Sequence, residues 1–384
     1  MKKVLLFGLV MLLVLSACAT SRQKLSPQGN LNLKSANVYY TQKDNEKSLE
    51  KALDLYNKVL ADNPNHLVAL KRTADINFYY ATQIEPVVRE KDGVKEYQNM
   101  NNAKKVIDLY VITYGKYDAV LTVLNSFEKL TEDERSMKRD AQKKKEGSWV
   151  RIFKIGQLLF DTKDFDGATN AFEIANKLDP SKQEPLRMLV AVYQEKKDEN
   201  KTELYLAKVL AASPDDPEMI KMMGAHYYNK KQYEQAISYF KKTQVAFPLD
   251  VNNLLLLSAA YSELKQYQNS LDVLGKVIKL QPDNLDALIS SKELARALDN
   301  KTAEIDFMKR IIALDPSSKN LEEYCLRLIN FGMYDDLMSY TEMWFEKDKT
   351  NTVAISSCIL VATKIGRKDI EKKYGDIYKA LQPK

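Results

Sequence analysis

The chain is poor in the residues that most chemistry at a protein site requires. Three cysteines in 384 residues exclude a disulfide-built scaffold, and two histidines, His66 and His226, lie near no second ligand in sequence. No HExxH or paired-cysteine pattern occurs, so a structural or catalytic zinc site is not expected. GxSxG, GxGxxG and GxxxxGK[ST] are absent, which removes the common hydrolase, dinucleotide and nucleoside-triphosphate signatures, and neither an enzymatic role nor a bound cofactor is expected. With 12 glycines and 11 prolines against 45% hydrophobic residues, the body is neither loop-rich nor disordered. The formal charge of +6 is too small a surplus over this length to call for nucleic acid.

Long apolar runs are also scarce. The one at the start, Val4 to Leu15 after Lys2 and Lys3, would rise only about 18 Å as a helix, short of the roughly 30 Å hydrocarbon core, and reads as a secretory signal. It ends in Leu15-Ser16-Ala17-Cys18, which resembles the lipobox of bacterial lipoproteins. The resemblance implies that residues 1–17 are removed and that Cys18 carries a diacylglycerol and further acyl chains such as palmitate, enough for stable anchoring. Ala19, not Asp, follows the cysteine, which by the sorting rule of Gram-negative lipoproteins implies an outer-membrane anchor facing the periplasm. Residues 18–32 read as a flexible tether.

Five prolines supply a ruler for the rest. Pro180, Pro214, Pro248, Pro282 and Pro316 follow one another at intervals of 34 residues without a slip. That is the tetratricopeptide period, and the residues between agree with it. With proline as position 32, the unit from Trp149 places Gly156, Ala168, Phe172 and Ala175 where the family has small and aromatic residues. The unit from Pro217 does so with Gly224, Tyr227, Tyr233, Ala236 and Phe240. Small residues let paired helices cross closely and aromatics fill the space between repeats. The chain therefore resembles a bacterial tetratricopeptide-repeat lipoprotein. The fold implied is all-α, a right-handed solenoid of about nine helix pairs with C-terminal capping helices.

Along the chain this gives N-terminal repeats at 33–83, an irregular helical region with a charged insertion at 84–148, a regular array at 149–318, and a degenerate repeat with capping helices at 319–384. Pro64 closes an early unit, but Pro86 would fall inside a second helix if the register continued. Repeats at 67–100 and 101–134, followed by a 14-residue insertion from Arg135 to Ser148, are the tidy reading. That insertion carries Arg135, Lys138, Arg139, Lys143, Lys144 and Lys145 against Asp140, a candidate electrostatic contact that the flanking acids nearly cancel. In the units from Gln183 and Leu285, Val190 and Lys292 replace the usual small residue, and looser packing is expected there. Thr162, Asp164, Asp166, Gly167 and Glu173 imitate a calcium loop but lack its first aspartate, and read as a repeat turn. Cys325 and Cys358 are expected to be two buried thiols.

Tetratricopeptide arrays receive a peptide or a partner's helix on the face built by first helices. The resemblance points to positions 2, 5, 9 and 12 of each repeat, from which Phe153, Gln157, Phe160, Arg187, Gln194, Lys221, Tyr228, Asn252 and Leu255 are the candidate groove residues. The family's carboxylate clamp is not reproduced, because Ala191 and Ala225 stand where it needs asparagine. An envelope protein scaffold is the expected function, with envelope protein segments as partners. A glycan- or peptide-binding protein, with Phe153, Phe160 and Tyr228 stacking on a ligand, is the alternative.

Overall fold

The computed structural model describes residues 23–42 and 44–381. Cys18 and the signal segment lie outside the described residues. Among the described residues eighteen α-helices follow one another: α1 Pro27–Thr41, α2 Glu46–Asp62, α3 Leu67–Gln83, α4 Ala103–Asn125, α5 Glu132–Asp161, α6 Phe165–Leu178, α7 Glu184–Glu195, α8 Glu199–Ala212, α9 Pro217–Asn229, α10 Tyr233–Ala246, α11 Val251–Glu263, α12 Tyr267–Leu280, α13 Leu285–Ala297, α14 Lys301–Leu314, α15 Ser318–Phe331, α16 Leu337–Lys347, α17 Thr352–Lys364 and α18 Lys368–Ala380. They pack as consecutive pairs, α1 on α2 through α17 on α18. The chain divides after Ala212 into two compact units, the first ending with α8 and the second beginning with α9.

The repeat is written in local chemistry. Each period proline stands two residues past a helix end, Pro180 after α6 and likewise Pro214, Pro248, Pro282 and Pro316, where its missing N–H is no loss and its ring stops the helix. The next helix is then capped by Asp216, Asp250 or Asn284, whose side chains accept from the backbone N–H of Met219, Asn253 and Ala287. Inside each pair of the regular array the first helix is followed by a left-handed residue. Lys163, Lys197, Lys231, Lys265 and Asp299 have φ between 51° and 63°. The following N–H reaches back to the helix, as from Gln232 to the Tyr227 carbonyl at 2.9 Å and from Asn300 to that of Ala295 at 2.8 Å.

Second helices bury a narrow stripe. In α10 it is Ala236, Ile237, Phe240 and Thr243, one face of a 3.6-residue turn. Phe240 meets Leu254, Leu257 and Leu274 in one core, and in the last repeats Trp344, Tyr324, Cys325, Cys358 and Tyr374 form another. Both thiols are unbridged and buried, and burial pushes Cys325 up to about 12 and Cys358 to about 11. Helix α18 buries Tyr374 alone and turns a polar face outward.

Expectations change first in the N-terminal part of the chain. Residues 27–32 are not tether but the start of α1, begun by Ser26-Pro27, with Ser26 accepting from Gly29 N–H. Ahead of it, Gln23 and Ser26 are tied to the α2–α3 turn through Leu67 N–H and the Asp62 carboxylate. Residues 84–148 are not all helical. Pro86 ends the helical register, and an antiparallel hairpin follows, β1 Val87–Lys91 and β2 Val94–Gln98, turned by Asp92 and Gly93, both at positive φ. Between Leu67 and the start of α5 at Glu132 there is then one helix pair, α3 and α4, and residues 135–148 are not a separate insertion but part of α5. The basic run instead lies in the 30 residues of α5, which starts at the Thr131–Glu134 capping box.

Much of that basic run is satisfied internally. Lys144 binds Asp75 at 2.7 Å, Lys145 binds Asp118 at 2.5 Å, and Arg135 binds Glu132 at 2.9 Å. Asp75, largely buried, also accepts from the Tyr117 hydroxyl at 2.6 Å and pairs with Lys71. Burial opposes its charge, but these donors outweigh it and hold the carboxyl below the usual range.

The unit from Leu285 is not loosely packed at Lys292. That side chain is buried and spans both oxygens of Glu323 at 2.8 Å. Beside it Glu304, 1% exposed, is gripped by Arg296 at 2.7 Å and Arg327 at 2.8 Å. A charged network ties α13, α14 and α15 where other repeats use a small residue against a ring.

Candidate docking site

Five of the candidate groove residues fall in the first unit, on α5 and α7, and four in the second. In the first unit Phe153 belongs to the packing of its own repeat: its ring stacks on Trp149 at 5.5 Å with 6° between planes and leans on Phe172. Phe160 is half-buried against Phe165, and Gln157 and Gln194 are exposed. Arg187, on α7, is half-buried.

Gln157 and Phe160 do share a cleft. Its volume is about 630 Å³, and its other walls are Lys154, Leu158 and Asp161 of α5, Met188 of α7, and Pro86, Val87 and Val88 from the hairpin. The hairpin is thus a wall beside the first-helix face, which the sequence reading missed. Its signal was present: Asp92-Gly93 between valines is a two-residue turn motif. Glu85 sits at its base, in an ion pair with Arg151. Burial pushes the Glu85 carboxyl above its usual range although Arg151 opposes the shift.

The register of the hairpin decides what its edge can offer. Lys91 and Val94 flank the two-residue turn and form the closing hydrogen-bonded pair, so Arg89 with Glu96 and Val87 with Gln98 are hydrogen-bonded too. Val88 and Glu90 then point their backbone N–H and C=O away from β2. The sheet has two strands among the described residues, and Val88 is 43% exposed. An unpaired strand edge stands beside an apolar cleft.

In the second unit Tyr228 and Leu255 share a cleft of about 620 Å³ with Ala259, Ser262 and Glu263 of α11, Tyr267 of α12, and Asp286, Ile289 and Glu293 of α13. Tyr228 packs edge-on against Tyr233. Burial first, and then the Glu263 carboxylate, raise both phenols. Lys221 is half-buried and paired with Asp250 at 3.0 Å, so its charge is held within the repeat stack. Asn252 is exposed and outside this cleft. Asp286, Ile289 and Glu293 occupy positions 2, 5 and 9 of the degenerate unit, so the register that named the other candidates would have named them as well.

The apparent calcium loop is otherwise engaged. Asp164 caps α6 by accepting from Gly167 N–H, Asp166 pairs with Lys196, and Glu173 accepts from the Tyr205 hydroxyl.

A family model described as anaphase-promoting complex, cyclosome, subunit 3 matches residues 195–277. No curated protein matches. Solved structures similar to the chain include a tetratricopeptide repeat protein from Parabacteroides merdae, at 12% identity over 61% of this chain and 93% of that one with a TM-score of 0.42. MamA from Desulfovibrio magneticus is 18% identical over 44% and 95%, with a TM-score of 0.40. YrrB, described as a tetratricopeptide protein with an unusual peptide-binding site, is 15% identical over 47% and 94%, with a TM-score of 0.41. The protein is an all-α array of tetratricopeptide-type helix pairs, interrupted by one β-hairpin.

Proposed function

We propose that the chain is a lipid-anchored scaffold of the bacterial cell envelope, held through Cys18 at the outer membrane and receiving segments of partner proteins on its first-helix faces. One observation carries the binding half of this reading: the cleft of Phe160, Leu158 and Met188 lies beside the free edge of β1. A partner strand could pair with Val88 through main-chain hydrogen bonds while alternate side chains enter the cleft. The cleft is open, which suits a length of chain better than an enclosed glycan. The anchoring half rests on the lipobox. Among the described residues no helix is long and apolar enough to cross a membrane, and the attachment proposed is the acylated cysteine.

The test compares proteins recovered from envelope extract by the wild type, by Phe160→Ala/Tyr228→Ala, by Val88→Pro and by a control on an exposed second-helix position, Val245→Ser. Proline at Val88 removes an N–H that β2 does not use, so the hairpin should survive. Loss of the same partners in the first two variants, at unchanged helicity, supports the reading. Equal recovery by all four sinks it.

A further inference from the structure

The cleft of the second unit differs from that of the first in charge. Among the described residues its walls hold three carboxylates, Glu263, Asp286 and Glu293, and no lysine, arginine or histidine. Glu293 is already engaged by Lys292 at 3.0 Å and Arg296 at 3.1 Å, so Glu263 and Asp286, both exposed, supply the outward negative charge. The same cleft is lined by the ring of Tyr228 and the aliphatic side chains of Leu255 and Ile289. An aromatic face and carboxylates around an apolar floor match a long side chain that ends in a cation: the stem packs, and the head meets the ring and the acids.

We infer that this cleft takes a lysine or arginine side chain presented by a segment of the partner protein, with Glu263, Asp286 and Tyr228 around the cation and Leu255 and Ile289 along its stem. The inference deepens the scaffold reading and rests on it. A neutral or acidic segment would leave Glu263 and Asp286 facing it without a counter-charge, so the same groups that attract a basic segment discriminate against others.

A random peptide library displayed on phage is selected against the full chain, purified in detergent with its anchor. Wild type is expected to enrich peptides carrying lysine or arginine. A synthetic copy of one such peptide should bind Glu263→Gln/Asp286→Asn roughly tenfold more weakly, as two lost ion pairs of modest strength would give. Replacing its basic residue by norleucine should cost the wild type a similar factor and the double variant almost nothing. Thermal melts by circular dichroism check the fold, and Glu263→Gln alone serves if the pair is unstable. Enriched peptides without basic residues, or basic peptides that bind the double variant as tightly as wild type, would overturn the inference while leaving the scaffold reading intact. A library that yields no peptide would overturn both.

Discussion

A methyl group placed on Gly224 would come within 2.7 Å of Cε1 of Phe240, and Gly156 stands in the same relation to Phe172. In these two pairs the first helix therefore touches the aromatic ring of the second with no room for a side chain. Gly224→Ala should lower stability by about 1 to 3 kcal/mol, as overpacking of a core does. Ala236→Leu, at a fully buried position of the same crossing, should act in the same direction. Thermal melts monitored at 222 nm would show it. An unchanged midpoint in either variant would mean that the crossing lies elsewhere.

Glu304 joins Arg296 and Arg327 in a nearly dry setting, and its replacement by glutamine would leave two guanidinium groups facing a neutral acceptor. Because both arginines keep partial access to water, the expected loss is about 2 kcal/mol, below that of a fully enclosed pair. Burial opposes ionisation of Glu304, yet the hydrogen bonds from Arg327 and Arg296 outweigh it and hold the carboxyl below its usual 4.5. The unfolded chain then takes the proton first, so this contribution is present at neutral pH and is lost as pH falls below about 4.5. Glu304→Gln should flatten the acid limb of a urea-unfolding series measured between pH 6 and 3.

His66 supplies an independent pH dependence. Its Nδ1 accepts from Ala69 N–H at 3.3 Å, capping α3, and only the neutral ring can do so. Burial pulls its pKa below the ordinary 6.5. A group depressed in the fold stabilises above its unfolded value and ceases to do so as pH falls through that region. Stability should therefore decline between pH 7.5 and 5.5, and His66→Asn, which caps without titrating, should remove that slope. Identical pH profiles for the two proteins would refute the assignment.

For the anchor, Cys18→Ser with the signal retained should accumulate as uncleaved precursor. Processing at the normal size, together with membrane partition in the absence of any partner, would defeat the lipoprotein proposal. Mass spectrometry of the mature N-terminus distinguishes the outcomes.

Part of this architecture was legible without coordinates. The proline ruler, the small residues at Gly156 and Gly224 and the aromatics opposite them are local requirements of one motif, and they recur because each repeat meets the same neighbours. That register put Phe160, Tyr228 and Leu255 on the first-helix face, where each lines a cleft. Phe153 was placed on the face as well, but whether a ring at such a position is available or stacked depends on what its neighbours are, and Trp149 occupies it.

By itself, then, the sequence determined what repeats: helix lengths, their stops and caps, and the tight crossings. Only tertiary structure decided what does not repeat. It used Lys292 and Glu304 to build a charged contact in place of a small one, because opposite charges from α13, α14 and α15 arrive together there and nowhere is that written within one repeat. And it brought Val88 beside Phe160, across 72 residues of chain, by folding a hairpin out of the helical stack. Periodicity reports what each residue needs from its own repeat; the cleft of the first unit is made where the hairpin departs from the period.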